Sequence, residues 1–173
     1  MSFPYNRIVN GFEAPPHSRP FQVYLSITRT SGNSFCGGSL ISPRHVLTAA
    51  HCADSSPTSI LVSVGDHNLT APDGETLFQV SNIVVHPLWN TNAITYDYAI
   101  LTLNTPVVIS PNTPFVGLVC LPPDVTQTFA GASLTSSGWG YTVGGVSASA
   151  SSVLKAAYLR GMSDLDCSTA MVL

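Results

Sequence analysis

Basic residues are scarce in this chain of 173 residues. Lysine and arginine together number six, Lys155 is the single lysine, and the formal net charge is −3. Proteins that bind nucleic acid concentrate lysine and arginine on one face, because they must neutralise the phosphate backbone. No such basic cluster is visible in the sequence, so the composition argues against a nucleic-acid partner.

Long apolar runs are lacking as well. The chain is 45% hydrophobic and its mean hydropathy is +0.28, yet no stretch approaches the ~20 apolar residues that a membrane-spanning helix needs. The first seven residues show no apolar core of a secretory signal peptide. We therefore expect a globular chain with one or two buried cores and no membrane association.

Paired CxxC motifs are also absent. The four cysteines are Cys36, Cys52, Cys120 and Cys167, and the histidines do not bracket them at zinc spacing, so the sequence argues against a metal site of that kind. An even number of cysteines fits disulfides and secretion, as does the glycosylation sequon at Asn68. A Cys36–Cys52 bond would close a loop of about 17 residues, worth roughly 3 kcal/mol. Cys120 and Cys167 could pair with each other or with cysteines outside this chain.

Short β-rich runs alternate with clusters of Gly, Pro, Ser and Asn, and no helical periodicity dominates. This pattern is typical of an all-β protein, and its regular spacing favours a closed barrel or a sandwich. The predicted strands cover 21–28, 36–41, 46–48, 60–64, 76–86, 99–103, 134–139 and 154–160. One short helix is predicted over 164–171, capped by Ser163. The proline-rich segment 105–123 is interpreted as a connection between two subdomains.

One stretch points to chemistry, because His51 directly precedes Cys52 and follows two alanines. Small residues let another backbone approach, and a crosslink through Cys52 would hold the imidazole in place. A histidine acting as a general base needs an acceptor on its other ring nitrogen. The candidate is Asp97, at the head of the apolar run 99–103. Taken singly, His51 could equally be a core histidine and Asp97 a strand cap, but the two together favour an acid–base pair.

Six stretches in order along the chain resemble the chymotrypsin/trypsin-like serine proteases. They are Arg7-Ile8-Val9-Asn10-Gly11, Cys36-Gly37-Gly38-Ser39-Leu40-Ile41, Leu47-Thr48-Ala49-Ala50-His51-Cys52, Asp97-Tyr98-Ala99-Ile100-Leu101, Val119-Cys120-Leu121-Pro122 and Gly138-Trp139-Gly140. Together they cover nearly the whole chain.

The resemblance implies an all-β, trypsin-like fold of two six-stranded antiparallel β-barrels, the second incomplete. It divides the chain into a residual activation peptide at 1–7, a first barrel at 8–112, and a partial second barrel with a short helix at 113–173. Together these form one peptidase S1-type domain.

The resemblance also implies a secreted serine endopeptidase, made as a zymogen, that cleaves peptide bonds by acyl transfer. His51 would be its general base, Asp97 the orienting acid, Cys36–Cys52 the neighbouring disulfide, and Arg7-Ile8 the bond cut on activation. The expected partners are protein or peptide substrates and protease inhibitors, and the expected state is a monomer.

The family's nucleophilic serine lies in a Gly-Asp-Ser-Gly-Gly stretch, and these 173 residues contain none. We therefore predict that the chain is a fragment, catalytically incompetent as given, because no acyl-enzyme can form without the nucleophile. The alternative is a non-catalytic, protease-like binding or regulatory protein. The serine-rich run 147–152 is interpreted as an exposed flexible loop rather than a substitute nucleophile.

A polar loop that contains Asp66, Asp73 and Glu75 resembles the loop in which some members of the family bind calcium. Carboxylates are the hard oxygen ligands that Ca²⁺ prefers. The acids do not fall at all of the family's spacings, so a solvated polar loop is the alternative. No other cofactor is expected.

Overall fold

A computed structural model describes residues 11–124, 126–142 and 150–171. In order along this part of the chain, its elements are β1 (Phe12–Glu13), β2 (Gln22–Arg29), β3 (Gly32–Ser42), β4 (His45–Thr48), α1 (Ala50–Ala53), β5 (Ser59–Val64), β6 (Thr76–Val85), β7 (Ala99–Leu103), β8 (Ser133–Gly138), β9 (Lys155–Arg160) and α2 (Asp164–Met171). The chain divides into two compact units, one of residues 15–120 and one of residues 1–14 with 121–173.

The unit of residues 15–120 is a closed barrel with the strand order β2-β3-β4-β7-β6-β5. Every neighbouring pair of strands in it is antiparallel. Alternate side chains point inward, as the period of two in a strand requires. In β2 the buried apolar residues are Val23, Leu25 and Ile27, and in β7 they are Ala99, Leu101 and Leu103. These side chains belong to one continuous core inside the barrel.

Gly38 shows how closely the barrel strands pack. A Cβ atom at this position would lie 2.7 Å from Val46 Cγ1 and 3.1 Å from the Leu47 carbonyl oxygen. Gly38 pairs with Val23 of β2, whereas Val46 and Leu47 belong to the neighbouring strand on its other side, β4. A side chain at position 38 would therefore be forced against β4. The glycine therefore permits β3 and β4 to lie at the distance that positions the segment after β4.

The other unit holds a three-stranded antiparallel sheet with the order β1-β9-β8. Phe12 of β1 packs on Tyr158 of β9, with ring centroids 5.1 Å apart. The helix α2 begins after Ser163, whose hydroxyl accepts a hydrogen bond from the Asp166 N–H at 3.1 Å. This bond is the N-cap that the sequence predicts.

The prediction of an all-β, trypsin-like fold is confirmed, with one closed barrel and a second sheet. The sequence does not predict β1 or α1, which are only two and four residues long. The two compact units are separated in sequence at 14/15 and 120/121, and the division of barrels at 112/113 stays a prediction. Residues 117 and 119 bond to the first unit through Pro20 and Leu40, whereas Phe12 and Glu13 pair with β9.

Candidate active site

Strand register brings His51 and Asp97 together. In the antiparallel pair β4 and β7, Thr48 at the end of β4 lies opposite Ala99 at the start of β7. The chain leaving β4 therefore passes the chain entering β7, although the two segments are far apart in sequence. His51 follows Thr48 by three positions and Asp97 precedes Ala99 by two. The pairing of β4 with β7 thus places the side chains of His51 and Asp97 next to each other.

The helix α1 sets which way His51 points. Its single turn buries Ala50, Cys52 and Ala53 against the barrel, while the His51 side chain remains 49% exposed. Alanine suits this contact because it packs closely and loses no side-chain entropy in a helix. The imidazole is therefore held on the solvent side of a turn whose other residues are fixed in the core.

Asp97 receives two hydrogen bonds from His51. The His51 backbone N–H donates to Asp97 Oδ1 at 2.9 Å, and Nδ1 of the ring lies 2.8 Å from Asp97 Oδ2. A carboxylate can only accept, so the proton of the second bond resides on Nδ1. The other ring nitrogen, Nε2, then carries the lone pair and is the basic atom of the pair.

The electrostatics keep Asp97 ionised. Burial by itself raises the pKa of its carboxyl group, but the hydrogen bonds from the His51 backbone and ring, together with the charge of the imidazole, outweigh it. The pKa of Asp97 therefore lies below its ordinary value. An ionised carboxylate stabilises positive charge on the ring when Nε2 takes up a proton.

The predicted disulfide is present between Cys36 of β3 and Cys52 of α1, with their Cα atoms 6.2 Å apart. It ties the helix that carries His51 to the barrel wall. Cys120 and Cys167 are free and exposed among the residues that the structure describes.

Two further residues brace α1, and the sequence analysis did not single them out. The Arg29 guanidinium donates to the Cys52 carbonyl oxygen at 2.7 Å. At the end of the helix, Trp89 Nε1 donates to Asp54 Oδ2 at 2.9 Å. Arg29 lies 23 positions from Cys52, and Trp89 lies 35 from Asp54. Contacts that distant leave no local pattern, so no sequence signal could have identified them.

Two tyrosines flank Asp97, and both rings lie against His86. The centroids are 4.9 Å apart for His86 and Tyr96, and 4.5 Å apart for His86 and Tyr98. His86 therefore packs with the segment that contains Asp97.

The predicted calcium loop is folded around its own carboxylates. Asp73 Oδ2 accepts the backbone N–H groups of His67 and Asn68, at 3.0 and 2.6 Å. Glu75 Oε2 in turn accepts the Asp73 N–H at 2.9 Å. Two of the three acids are thus already engaged in holding the loop backbone.

Two carboxylate oxygens in this loop remain available to a cation. Asp66 Oδ1 and Asp73 Oδ1 are buried and have no hydrogen-bond partner. The charges of Asp73 and Glu75 add to burial in raising the pKa of Asp66, against the opposing bond from Ser63. Unpaired oxygens among like charges fit a hard cation. The three acids do not form a compact ligand triad, however. In the described part of the chain the one such set is Cys36, His51 and Cys52, within 4.8 Å of one another.

Arg7 and Ile8, the predicted activation bond, lie outside the described residues. Asn68 of the glycosylation sequon is half-buried, and its Oδ1 accepts hydrogen bonds from the backbone and hydroxyl of Thr70. No helix in the described residues is long and apolar enough to cross a membrane.

Comparison with known proteins bears directly on this site. The family described as Trypsin matches residues 8–172. The chain belongs to the Trypsin family. His51 and Asp97 thus lie, paired, within the matched region of a trypsin-family chain.

Individual members of the Trypsin family are similar over most of the chain. This chain is 38% identical to Trypsin 5G1 of Aedes aegypti over 93% of the chain's own length. It is also 38% identical to chymotrypsin-like elastase family member 1 of Macaca fascicularis, over 94% of the chain. It covers 57% and 60% of those two proteins. Among solved structures, that of GrC is 28% identical with a TM-score of 0.85, and the match covers 94% of this chain and 69% of the other.

Proposed function

We propose that this trypsin-family chain supplies the general base and the orienting acid of a serine endopeptidase. The observation that carries the proposal is the His51–Asp97 pair, in which the carboxylate holds Nδ1 at 2.8 Å and leaves Nε2 basic. Such a pair has the geometry to withdraw a proton from an attacking hydroxyl group and return it to a leaving amine.

In the proposed reaction, Nε2 of His51 takes the proton of a serine hydroxyl as its oxygen attacks the peptide carbonyl carbon. The imidazolium that forms is stabilised by the ionised Asp97, and it then protonates the amine as the peptide C–N bond breaks. Water repeats the sequence to release the acyl group. Asp97 stays ionised throughout, in keeping with its lowered pKa.

We assign the nucleophilic serine to sequence outside these 173 residues, since none of their serines lies in a Gly-Asp-Ser-Gly-Gly stretch. The 173-residue chain alone is accordingly proposed to be inactive. Secretion as a zymogen that is cut at Arg7-Ile8, a monomeric state, protein substrates and protease inhibitors are proposals of the same kind, supported by membership of the Trypsin family.

Calcium binding in the loop is a further part of the proposal. Asp66 and Asp73 would each contribute the buried oxygen that has no hydrogen-bond partner, and backbone carbonyls would complete the shell. The ion would stabilise the barrel rather than take part in the reaction. Glycosylation at Asn68 would require that the Thr70 bonds to its side chain open.

The test is peptide hydrolysis by the longest in-frame product of the gene, after cleavage at Arg7-Ile8, with a mixed library of fluorogenic peptides. Asp97→Asn should lower kcat on the order of 10⁴-fold, because the wrong imidazole tautomer is then favoured. His51→Ala should lower it at least as far. His45→Ala, which alters an exposed histidine bonded to Ser42, should leave kcat unchanged. A wild-type product without hydrolysis, or full activity in His51→Ala, would overturn the proposal in favour of a binding or regulatory protein.

A further inference from the structure

A second tie joins the two stretches of chain that carry His51 and Asp97. At the end of α1, Asp54 Oδ2 accepts a hydrogen bond from Trp89 Nε1 at 2.9 Å. Trp89 lies between β6 and β7, as Asp97 does, so this bond bridges the same two stretches as the contacts of His51 with Asp97. We propose that Trp89 is a positioning residue, which acts through Asp54 to fix the orientation of the His51 imidazole.

The place of Asp54 on α1 couples it to His51. Residues three apart in a helix lie on the same face, and Asp54 follows His51 by three positions, at the C-cap of α1. Its N–H still donates to the Ala50 carbonyl oxygen, at 2.7 Å, so the helical path extends to it. Both polar side chains therefore leave α1 on the side away from Cys52 and Ala53, which pack in the barrel core.

Two ties fix an orientation that a single tie leaves free. The bonds to Asp97 both come from one residue, His51, so a helix of one turn can pivot about that residue. The disulfide and the Arg29 bond fix α1 to β3 and β2, whereas the bond to Trp89 fixes it to the segment that carries Asp97. With both ends of the turn held, the Nδ1 proton of His51 stays in line with the Asp97 carboxylate, as a strong hydrogen bond requires.

On its other side, Trp89 is joined to the residues that flank Asp97. The Trp89 N–H donates to the His86 carbonyl oxygen at 2.9 Å, and the His86 N–H donates to the Tyr98 carbonyl oxygen at 3.1 Å. The His86 ring also packs on Tyr96 and Tyr98. A displacement of Trp89 therefore reaches the backbone on both sides of Asp97 through contacts that are already closed.

The chemistry of the second tie makes it directional. An indole Nε1 has one proton to donate and cannot accept, so its direction fixes where the acceptor must lie. The bond is charge-assisted, because the acceptor is a carboxylate, and the side chains of Asp54 and Trp89 are both half-buried, which limits competition from water. This role rests on the proposed function, since proton transfer by His51 is the step for which the orientation of the ring matters.

Hydrogen exchange in the 173-residue chain measures the tie without any hydrolysis. NMR follows the exchange with water of the two His51 protons that are bonded to Asp97, the backbone N–H and the ring Nδ1–H. Trp89→Phe removes the donor and keeps a ring, and Asp54→Ala removes the acceptor. In each variant both protons should exchange about 10-fold faster relative to the amide of Leu25 in the core, the factor expected when one hydrogen bond no longer opposes local opening.

Three further variants separate positioning from general stability. Asp54→Asn keeps an oxygen that can accept from the indole, so exchange should stay close to that of the parent. The double variant Trp89→Phe with Asp54→Ala should exchange no faster than either single one, because both remove the same bond. Leu103→Val truncates a buried side chain at the end of β7 remote from Ala99, and it should speed the exchange of the His51 and core protons by the same factor.

The proposal is overturned if Trp89→Phe and Asp54→Ala leave exchange of the His51 protons unchanged, or speed it only as much as that of the core amides. It is also overturned if Asp54→Asn exchanges as fast as Asp54→Ala. Either variant of the pair that folds is sufficient for the comparison, since the two remove opposite ends of one bond.

Peptide hydrolysis by the longest in-frame product, after cleavage at Arg7-Ile8, gives a second readout. Trp89→Phe and Asp54→Ala should lower kcat about 10-fold and leave KM unchanged, a smaller loss than the roughly 100-fold that a displacement of 1 Å can cause. Asp54→Asn should restore kcat. A rise in KM with unchanged kcat would contradict the positioning role. A wild-type product without hydrolysis would instead overturn the proposed function, and hydrogen exchange would still decide whether Trp89 orients the ring.

Discussion

At the scale of single residues, Asp97 has two roles. Its two oxygens accept the backbone N–H and the ring Nδ1 of His51, so the same carboxylate orients the imidazole and ties α1 to the start of β7. Charge-assisted bonds of this kind are roughly twice as strong as neutral ones. Loss of the charge should therefore affect folding as well as chemistry.

The first prediction concerns the pH dependence of that contribution. Because the pKa of Asp97 is lowered in the folded chain, its stabilisation is present above the ordinary carboxyl pKa of about 4 and is lost as the pH falls through the lower, folded value. Asp97→Asn should reduce the free energy of unfolding by about 1 to 2 kcal/mol at pH 7, and the difference should shrink in acid. Urea unfolding from pH 7 to pH 3 measures it. A difference that is constant with pH would contradict the assignment.

Asp66 should behave in the opposite way. Burial, with the charges of Asp73 and Glu75, raises its pKa, so its contribution to stability is largest in acid and falls as the pH rises through the folded value. Without calcium, Asp66→Asn should stabilise the chain at pH 7 by less than about 1 kcal/mol, since solvent screens this partly exposed group.

Comparing the wild type with Asp66→Asn in the presence of Ca²⁺ tests whether the loop binds the ion. If the loop binds the ion, Ca²⁺ should raise the urea midpoint of the wild type and have little effect on Asp66→Asn. Asp73→Asn serves as the comparison, because Asp73 holds two backbone N–H groups and its loss should destabilise the loop with or without the ion. A wild-type midpoint that calcium does not change would leave the loop as a solvated polar turn.

At the scale of elements, the site depends on a helix of one turn that cannot be stable alone. The disulfide to Cys36, the Arg29 bond to the Cys52 carbonyl oxygen and the Trp89 bond to Asp54 all brace it. The first of these braces is covalent, and the other two are single hydrogen bonds from long side chains. The helix is therefore positioned by the barrel rather than by its own sequence.

The contribution of Arg29 to the position of α1 can be tested by substitution. Arg29→Ala removes a charge-assisted bond to a carbonyl group in a half-buried position, and we expect a loss of about 1 to 2 kcal/mol in the free energy of unfolding. Arg44→Ala is the matched control, since Arg44 also donates to a carbonyl group, that of Asn104, but in an exposed position. It should cost much less. Equal losses in the two variants would refute the bracing role.

The sequence predicts the elements that local pattern encodes. The alternation in β2 and β7 and the cap at Ser163 are visible in neighbouring residues, and so is the His51-Cys52 pair. Pairing of β4 with β7, which brings Asp97 to His51, leaves no local signal. The two residues are predicted to act together from the chemistry of a general base and from the family resemblance. Arg29 and Trp89 act over long sequence separations, and α1 is a single turn without a side-chain cap. Such features are decided by tertiary packing.

At the scale of the whole molecule, the chain spans 57% and 60% of two curated relatives in the Trypsin family. The closed barrel of residues 15–120 contains both His51, the proposed base, and Asp97, the proposed orienting acid. A reaction by acyl transfer needs a nucleophile in addition, and the 173 residues offer no serine in the family's setting. The central proposal is that His51 and Asp97 lie within this sequence and that the nucleophilic serine lies beyond it.

Covalent labelling tests most directly where the nucleophilic serine lies. The longest in-frame product and the 173-residue chain are each cleaved at Arg7-Ile8 and treated with a biotinylated fluorophosphonate, and the modified peptide is located by mass spectrometry. We predict stoichiometric labelling of the longer product at a serine outside residues 1–173, loss of that labelling in His51→Ala, and no labelling of the 173-residue chain. Labelling at any serine within the 173 residues, or none in the longer product, would contradict the account.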